Sequence, residues 1–130
     1  MIQDMTKARE NSLFRMINDY RVGANLPPFI YDFNVYQVAM EQVYNIIITR
    51  SSRGFDKDSR LTRVRGVPAA GNTAHVTAKD SALSAYKMWI TSPNSTRNIL
   101  NPTFKFSAIA GDLDLDGSWY FVQIYFYKYI

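Results

Sequence analysis

Ser118 to Tyr127 reads S-W-Y-F-V-Q-I-Y-F-Y, ten residues without a charge. Extended, such a segment points apolar side chains to both faces, because successive residues alternate sides. A strand that is apolar on both faces needs cover on both, whereas a sheet with one wet face shows cleaner alternation. The chain must therefore build a sheet sandwiched between helices. Phe104 to Ala110 alternates weakly and Asp112 to Gly117 supplies a turn, so the C-terminal third reads as a hairpin.

Helical periodicity supplies the covering layers. Leu13, Met16, Ile17 and Tyr20 fall at i, i+3, i+4 and i+7, one stripe of a helix over about residues 6–22. Gly23 suits its C-terminal cap, and Pro27-Pro28 forbids continuation. Asp32 or Asn34 can cap a second helix with the stripe Val35, Val38, Ala39, Val43, Ile46 and Ile47. A strand is expected around Asn72–Val76. Thr77, with Asp80 three residues on, would cap the next helix, whose inner stripe is Ala82, Ala85, Tyr86, Trp89 and Ile90. Ser92 caps a further turn, with Pro93 at its first position, where the missing N–H costs nothing. Ser51 to Gly71 has no long period; Asp58 or Ser59 would start a short helix there, turning Leu61 and Val64 inward.

The 130 residues suit one domain spanning 1–130, and a domain of this size buries roughly two thirds of its unfolded surface. Nine Tyr and eight Phe furnish a dense core without staples. The absence of Cys excludes disulfides, thiolate metal sites and a Cys nucleophile. No run approaches the ~18 apolar residues of a membrane span, and M-I-Q-D-M-T-K-A-R-E-N-S lacks the apolar region of a secretory leader.

The net charge of +4 is concentrated in one segment. Arg50, Arg53, Lys57, Arg60, Arg63 and Arg65 face only Asp56 and Asp58, while the other nine basic and nine acidic residues cancel. An anionic partner such as lipid headgroups, glycan sulfate or nucleic acid could use that segment. The plainer reading is a solvated loop beside a neutral body.

Trp89 to Pro102, W-I-T-S-P-N-S-T-R-N-I-L-N-P, resembles the signature W-x-x-S-P-G-H-R-x-N-I-L-N-P of the CAP superfamily (cysteine-rich secretory proteins, antigen 5 and pathogenesis-related proteins), also called SCP/TAPS domains. The matches are Trp89, Ser92, Pro93, Arg97 (shifted by one), Asn98, Ile99, Leu100, Asn101 and Pro102. Ile17 to Asn34, I-N-D-Y-R-V-G-A-N-L-P-P-F-I-Y-D-F-N, resembles the family's I-N-x-Y-R-x-x-x-G-L-P-P-L-x-W-D-x-x, so both ends of the chain carry the likeness. It implies an α+β fold, a three-layer α-β-α sandwich with an antiparallel sheet between helices. Many secreted eukaryotic members are disulfide-rich, so this Cys-free chain is more similar to the bacterial branch. Because relatives are mostly extracellular, the resemblance also implies a secreted or cell-surface protein whose leader lies outside this sequence.

In those relatives two His and two Glu converge on a cavity that can hold a divalent ion, often zinc. Carried over residue by residue, these positions are Ser52, Asn72, Ser92 and Ser95. Hydroxyls and an amide cannot replace imidazole and carboxylate around zinc, and they supply no general base. The expectation is a degenerate cavity with no metal, no cofactor and no catalytic residue.

His75, the single histidine, has neither Cys nor a second His as co-ligand, and no nucleophile elbow accompanies it. Asp112, Asp114, Asp116 and Gly117 imitate the start of a calcium loop, but Gln123 stands where a bidentate Glu is needed, so an acidic hairpin turn is the better reading. Asn98 is expected to be architectural, and Phe14, Tyr20, Tyr86 and Trp89 to be core. The expected function is therefore a monomeric, non-enzymatic module that binds a macromolecule or an anionic surface, with no specific nucleic acid. The alternatives are a lipid or sterol carrier using an interhelical groove and, last, a hydrolase.

Overall fold

The apolar run forms an inner strand. In the computed structural model, which describes residues 2–49, 70–77 and 79–127, it is β4 (Trp119–Phe126), buried throughout except for half-buried Tyr120. β2 (Ala70–Val76) and β3 (Phe106–Leu113) flank it, both antiparallel. A two-residue β1 (Ile30–Tyr31) adds to β3 and gives the order β1-β3-β4-β2. β1 is parallel to β3, so the sheet is mixed where an antiparallel one is expected. Two residues after Pro27-Pro28 carry no periodicity from which that pairing could be read.

Register sorts the two faces. Asn72 pairs with Gln123 and Ser107 with Tyr125, so these four share one face. α1 (Ile2–Gly23), α3 (Ser81–Thr91) and α4 (Pro93–Ile99) cover that face. α2 (Phe33–Thr49) covers the other, over Ala108, Ala110, Val122 and Ile124. These are the three layers that β4 demands. The basic segment Arg50–Arg65, Ser52 and the short helix expected near Asp58 lie outside the described residues.

Local chemistry corrects three expected caps. α1 ends in a Schellman motif: Leu26 N–H donates to the Arg21 carbonyl, Asn25 N–H donates to that of Val22, and Asn25 takes the left-handed φ of 64°. Asn25 therefore holds the position expected of Gly23, since a short amide side chain tolerates that conformation. Asp80, not Thr77, caps α3, its carboxylate accepting from Leu83 N–H at 3.3 Å. At α4 the Ser92 hydroxyl makes no cap bond. The turn is tied instead by the Thr96 hydroxyl donating to the Trp89 carbonyl at 2.9 Å. Asp32 does cap α2, accepting from Val35 N–H at 3.1 Å.

The core face of α1 holds more than its apolar stripe. Leu13 and Ile17 are fully buried, but so nearly are Glu10 and Arg21, one at each end of the same face. Glu10 accepts the Tyr36 hydroxyl from α2 and the Gly111 N–H from β3, which ties both layers to the sheet. Gly111 must lack a side chain, because a Cβ there would stand 2.7 Å from the Phe121 ring.

Arg21 is 1% exposed, has no carboxylate partner among the described residues, and donates to four carbonyls. These belong to Pro27 (2.9 Å), Ile99 (2.7 Å), Asn101 (3.0 Å) and Phe104 (3.4 Å). Its guanidinium lies 3.9 Å over the Phe29 ring. Burial lowers its pKa, and Arg is the cation that stays protonated in such a place. Asn18 completes the clamp by exchanging two hydrogen bonds with the Phe29 backbone. Lys at position 21 could not span four carbonyls with a compact ammonium, and each buried acceptor left bare costs about 1–3 kcal/mol. Arg21→Lys should lower stability by about 2–4 kcal/mol in urea unfolding, as a shifted midpoint with an unchanged slope. A loss below about 0.5 kcal/mol, the range of ordinary surface changes, would contradict the clamp.

Candidate functional site

Two of the cavity positions, Asn72 and Ser95, meet in a chain of hydrogen bonds. Asn98 on α4 donates its amide to Asn72 Oδ1 at 2.9 Å. Asn72 donates both amide protons in turn, to the Ser95 carbonyl at 3.1 Å and to the Tyr125 hydroxyl at 2.9 Å. Tyr125 passes its proton to Gln123 Oε1 at 2.7 Å, Gln123 donates to the Ser107 hydroxyl at 3.0 Å, and Ser107 closes on the Ile124 carbonyl at 2.7 Å. Tyr125, Gln123 and Ser107 are fully buried and Asn72 nearly so. Desolvation holds the Tyr125 phenol well above its ordinary pKa, so it remains a neutral donor.

Of the four positions, Asn72 and Ser95 adjoin, but through the Ser95 carbonyl and not its hydroxyl. Ser92 is half-buried at the start of α4 and makes no side-chain cap bond; Ser52 lies outside the described residues. No group of three or more His, Asp or Glu that could share an ion occurs among the described residues. The Asn72 amide has no donor proton left, and its oxygen is taken by Asn98. Hydrogen-bond capacity at this point is spent within the protein.

Tyr125, Gln123 and Ser107 carry most of the chain, yet none is among the expected site residues, and Gln123 draws notice in the sequence only as a missing calcium ligand. The signal was present: Gln123 is an amide inside an uncharged strand covered on both faces, and a buried amide must find partners. Asn98 is architectural as expected, but it reaches β2 rather than tying its own turn.

His75 does meet a serine and an aspartate. Its Nε2 lies 2.9 Å from the Ser118 hydroxyl, which donates to Asp116 Oδ1 at 2.6 Å, and its ring stacks on Tyr120 at 4.2 Å. The order is wrong for acyl transfer, because the serine proton points at the carboxylate instead of the imidazole. Asp116 Oδ1 also takes the Ser118 N–H, and Ser118 is 2% exposed, so the group fastens the hairpin turn. Asp112 and Asp114 likewise accept the N–H of the residue that follows each of them. The acidic turn caps itself with its carboxylates. Of the aromatics assigned to the core, Trp89 is buried and donates its indole N–H to the Thr73 carbonyl at 3.0 Å. Phe14, Tyr20 and Tyr86 are half-buried against the core.

The cysteine-rich secretory protein (CAP) family model matches residues 14–125. The chain belongs to the CAP family. Among solved structures it is similar to an outer surface protein from Borrelia burgdorferi, with a TM-score of 0.83, 17% identity and 95% of both chains covered. It is also similar to a cysteine-rich secretory protein from Staphylococcus aureus (TM-score 0.76, 15% identity, 95% of this chain and 40% of that one). An extracellular SCP-domain protein from Bacillus anthracis aligns at a TM-score of 0.70 and 18% identity, over 95% of this chain and 42% of that one. This chain thus spans about two fifths of the last two. At these identities the likeness shows the fold. A sequence comparison with curated proteins finds no match.

The closed chain makes a quantitative prediction for this CAP domain. Asn72→Ala removes three hydrogen bonds and takes one partner from the buried Tyr125 hydroxyl and one from the half-buried Asn98 amide, a loss of about 2–3 kcal/mol. Asn98→Ala should cost about 1 kcal/mol, and the double variant should fall short of the combined loss by about 1 kcal/mol, measured by chemical denaturation. Strict additivity would mean that the two amides are not coupled.

Proposed function

We propose that this chain is a non-catalytic CAP module of the cell surface or extracellular space that engages a macromolecular partner. The supporting observation is the polar chain from half-buried Asn98 through Asn72, Tyr125 and Gln123 to Ser107, which engages Asn72, one of the positions where the family resemblance puts metal ligands. A site whose polar atoms are paired with one another has neither a base to abstract a proton nor an open position for a metal-bound water. Location follows the company the fold keeps, an outer surface protein, a secretory protein and an extracellular protein. Among the described residues no helix is long and apolar enough to cross a membrane.

The partner reading rests on charge. Six basic residues between Arg50 and Arg65 carry the whole +4 excess, and such a cluster attracts anionic polymers and headgroups. Retention on heparin and co-sedimentation with vesicles containing phosphatidylglycerol test it. Wild-type protein should bind both and lose binding as salt rises. The combined Arg60→Glu, Arg63→Glu and Arg65→Glu variant should release both ligands, while its stability stays within about 0.5 kcal/mol per charge reversal. A variant that unfolds, or that binds as well as wild type, would retire the basic-segment reading.

A further inference from the structure

A groove of about 570 Å³ opens between the first half of α1 and α2, beside β3, on the far side of Glu10 from the core. Its floor is the Glu10 carboxylate, 3% exposed, which receives the Tyr36 hydroxyl at 2.8 and 3.0 Å and the Gly111 N–H at 2.8 Å. Burial raises the Glu10 pKa, although those donors and Lys7 oppose the shift. The walls are apolar and open: Phe33, Met40 and Tyr44 line them and remain 60%, 48% and 61% exposed. Side chains of that size standing in water around a recessed charge are unusual for a surface with no ligand.

The chain itself displays the chemistry that the groove accepts. The Lys7 ammonium stands 4.0 Å above the Tyr36 ring and 3.7 Å from Glu10 Oε1. A carboxylate beside an aromatic face is the arrangement that recognises an organic ammonium. Lys7 fills it loosely, because 3.7 Å exceeds hydrogen-bond distance and its side chain is 56% exposed. Asp112 adds a second carboxylate to the lining beside that one lysine. The described lining therefore suits a cation. The volume is that of a small-molecule site, and the recessed carboxylate suits a slim headgroup.

We propose that this groove binds a small organic ammonium ion bearing an apolar chain, its nitrogen taking the place of Lys7 between Glu10 and Tyr36 while the chain covers Phe33, Met40 and Tyr44. The proposal uses no residue of the Arg50–Arg65 segment and has the opposite charge preference, so the two readings stand or fall independently.

Amide NMR titrations with hexylammonium, hexanoate and hexanol test the proposal, with the Gly111 N–H as reporter because it rests on Glu10. Hexylammonium should shift that resonance saturably, hexanoate should not, and hexanol should bind about tenfold more weakly or worse, since a charge-assisted hydrogen bond is lost. Lys7→Met removes the competing ammonium at an exposed position and should tighten hexylammonium severalfold, whereas Glu10→Gln should weaken it about tenfold. Equal responses to hexanol and hexylammonium, or unchanged or weaker binding in Lys7→Met, would overturn the proposal. So would a lysine peptide flanked by leucines that binds where hexylammonium does not, because the groove would then be a peptide site.

Discussion

One buried cation joins the two ends of this domain. Arg21 belongs to the N-terminal motif, yet three of its four carbonyl partners lie between Ile99 and Phe104, around seventy-eight or more residues downstream. A charge taken from water needs full compensation, and here main-chain dipoles rather than a carboxylate provide it. The same guanidinium covers Phe29, Phe29 packs on Tyr125 at 5.3 Å, and Phe104 stacks on Tyr125 from another side at 5.4 Å. The position of Tyr125, and so of the hydroxyl that links Asn72 to Gln123, depends on a charge that touches none of them directly.

That dependence holds the polar chain in its geometry. Buried polar groups left bare, or empty space in their place, would each be costly. The domain instead carries a continuous row of amides and hydroxyls, each donor met by an acceptor. The row stiffens the contact of α4 with the sheet, because α4 is held to β2 through Asn98, Asn72 and the Ser95 carbonyl. It serves as a polar seam between two layers.

Much of this architecture was legible in the sequence. The uncharged ten-residue run required a sheet covered on both faces, the 3.6-residue stripes located α1, α2 and α3, and Asp32 announced the start of α2. What escaped was chemistry that local patterns do not encode. Glu10 and Arg21 read as ordinary helix charges, because only the tertiary fold turns them inward to meet Gly111 and Ile99. The left-handed residue moved from Gly23 to Asn25, since either can end a helix and only the hydrogen-bond geometry decides. The parallel β1 was too short to leave a period. At the site, Asn72 and Ser95 offer neither imidazole nor carboxylate, whereas the polar chain draws on Gln123, Tyr125 and Ser107, which resemble strand residues until their partners are known.

The described residues place a carboxylate-lined groove between α1 and α2, and the sequence concentrates its basic excess between Arg50 and Arg65. The groove shares no residue with the polar seam, and the seam is the most direct test of the account. The measurement is the side-chain amide signal of Asn72 in a ¹⁵N–¹H spectrum, followed as zinc is added. Nδ2 protons that exchange slowly with water and keep their shifts at a severalfold excess of zinc are the predicted result. Nδ2 protons that exchange rapidly with water, or a saturable shift at micromolar zinc, would contradict it.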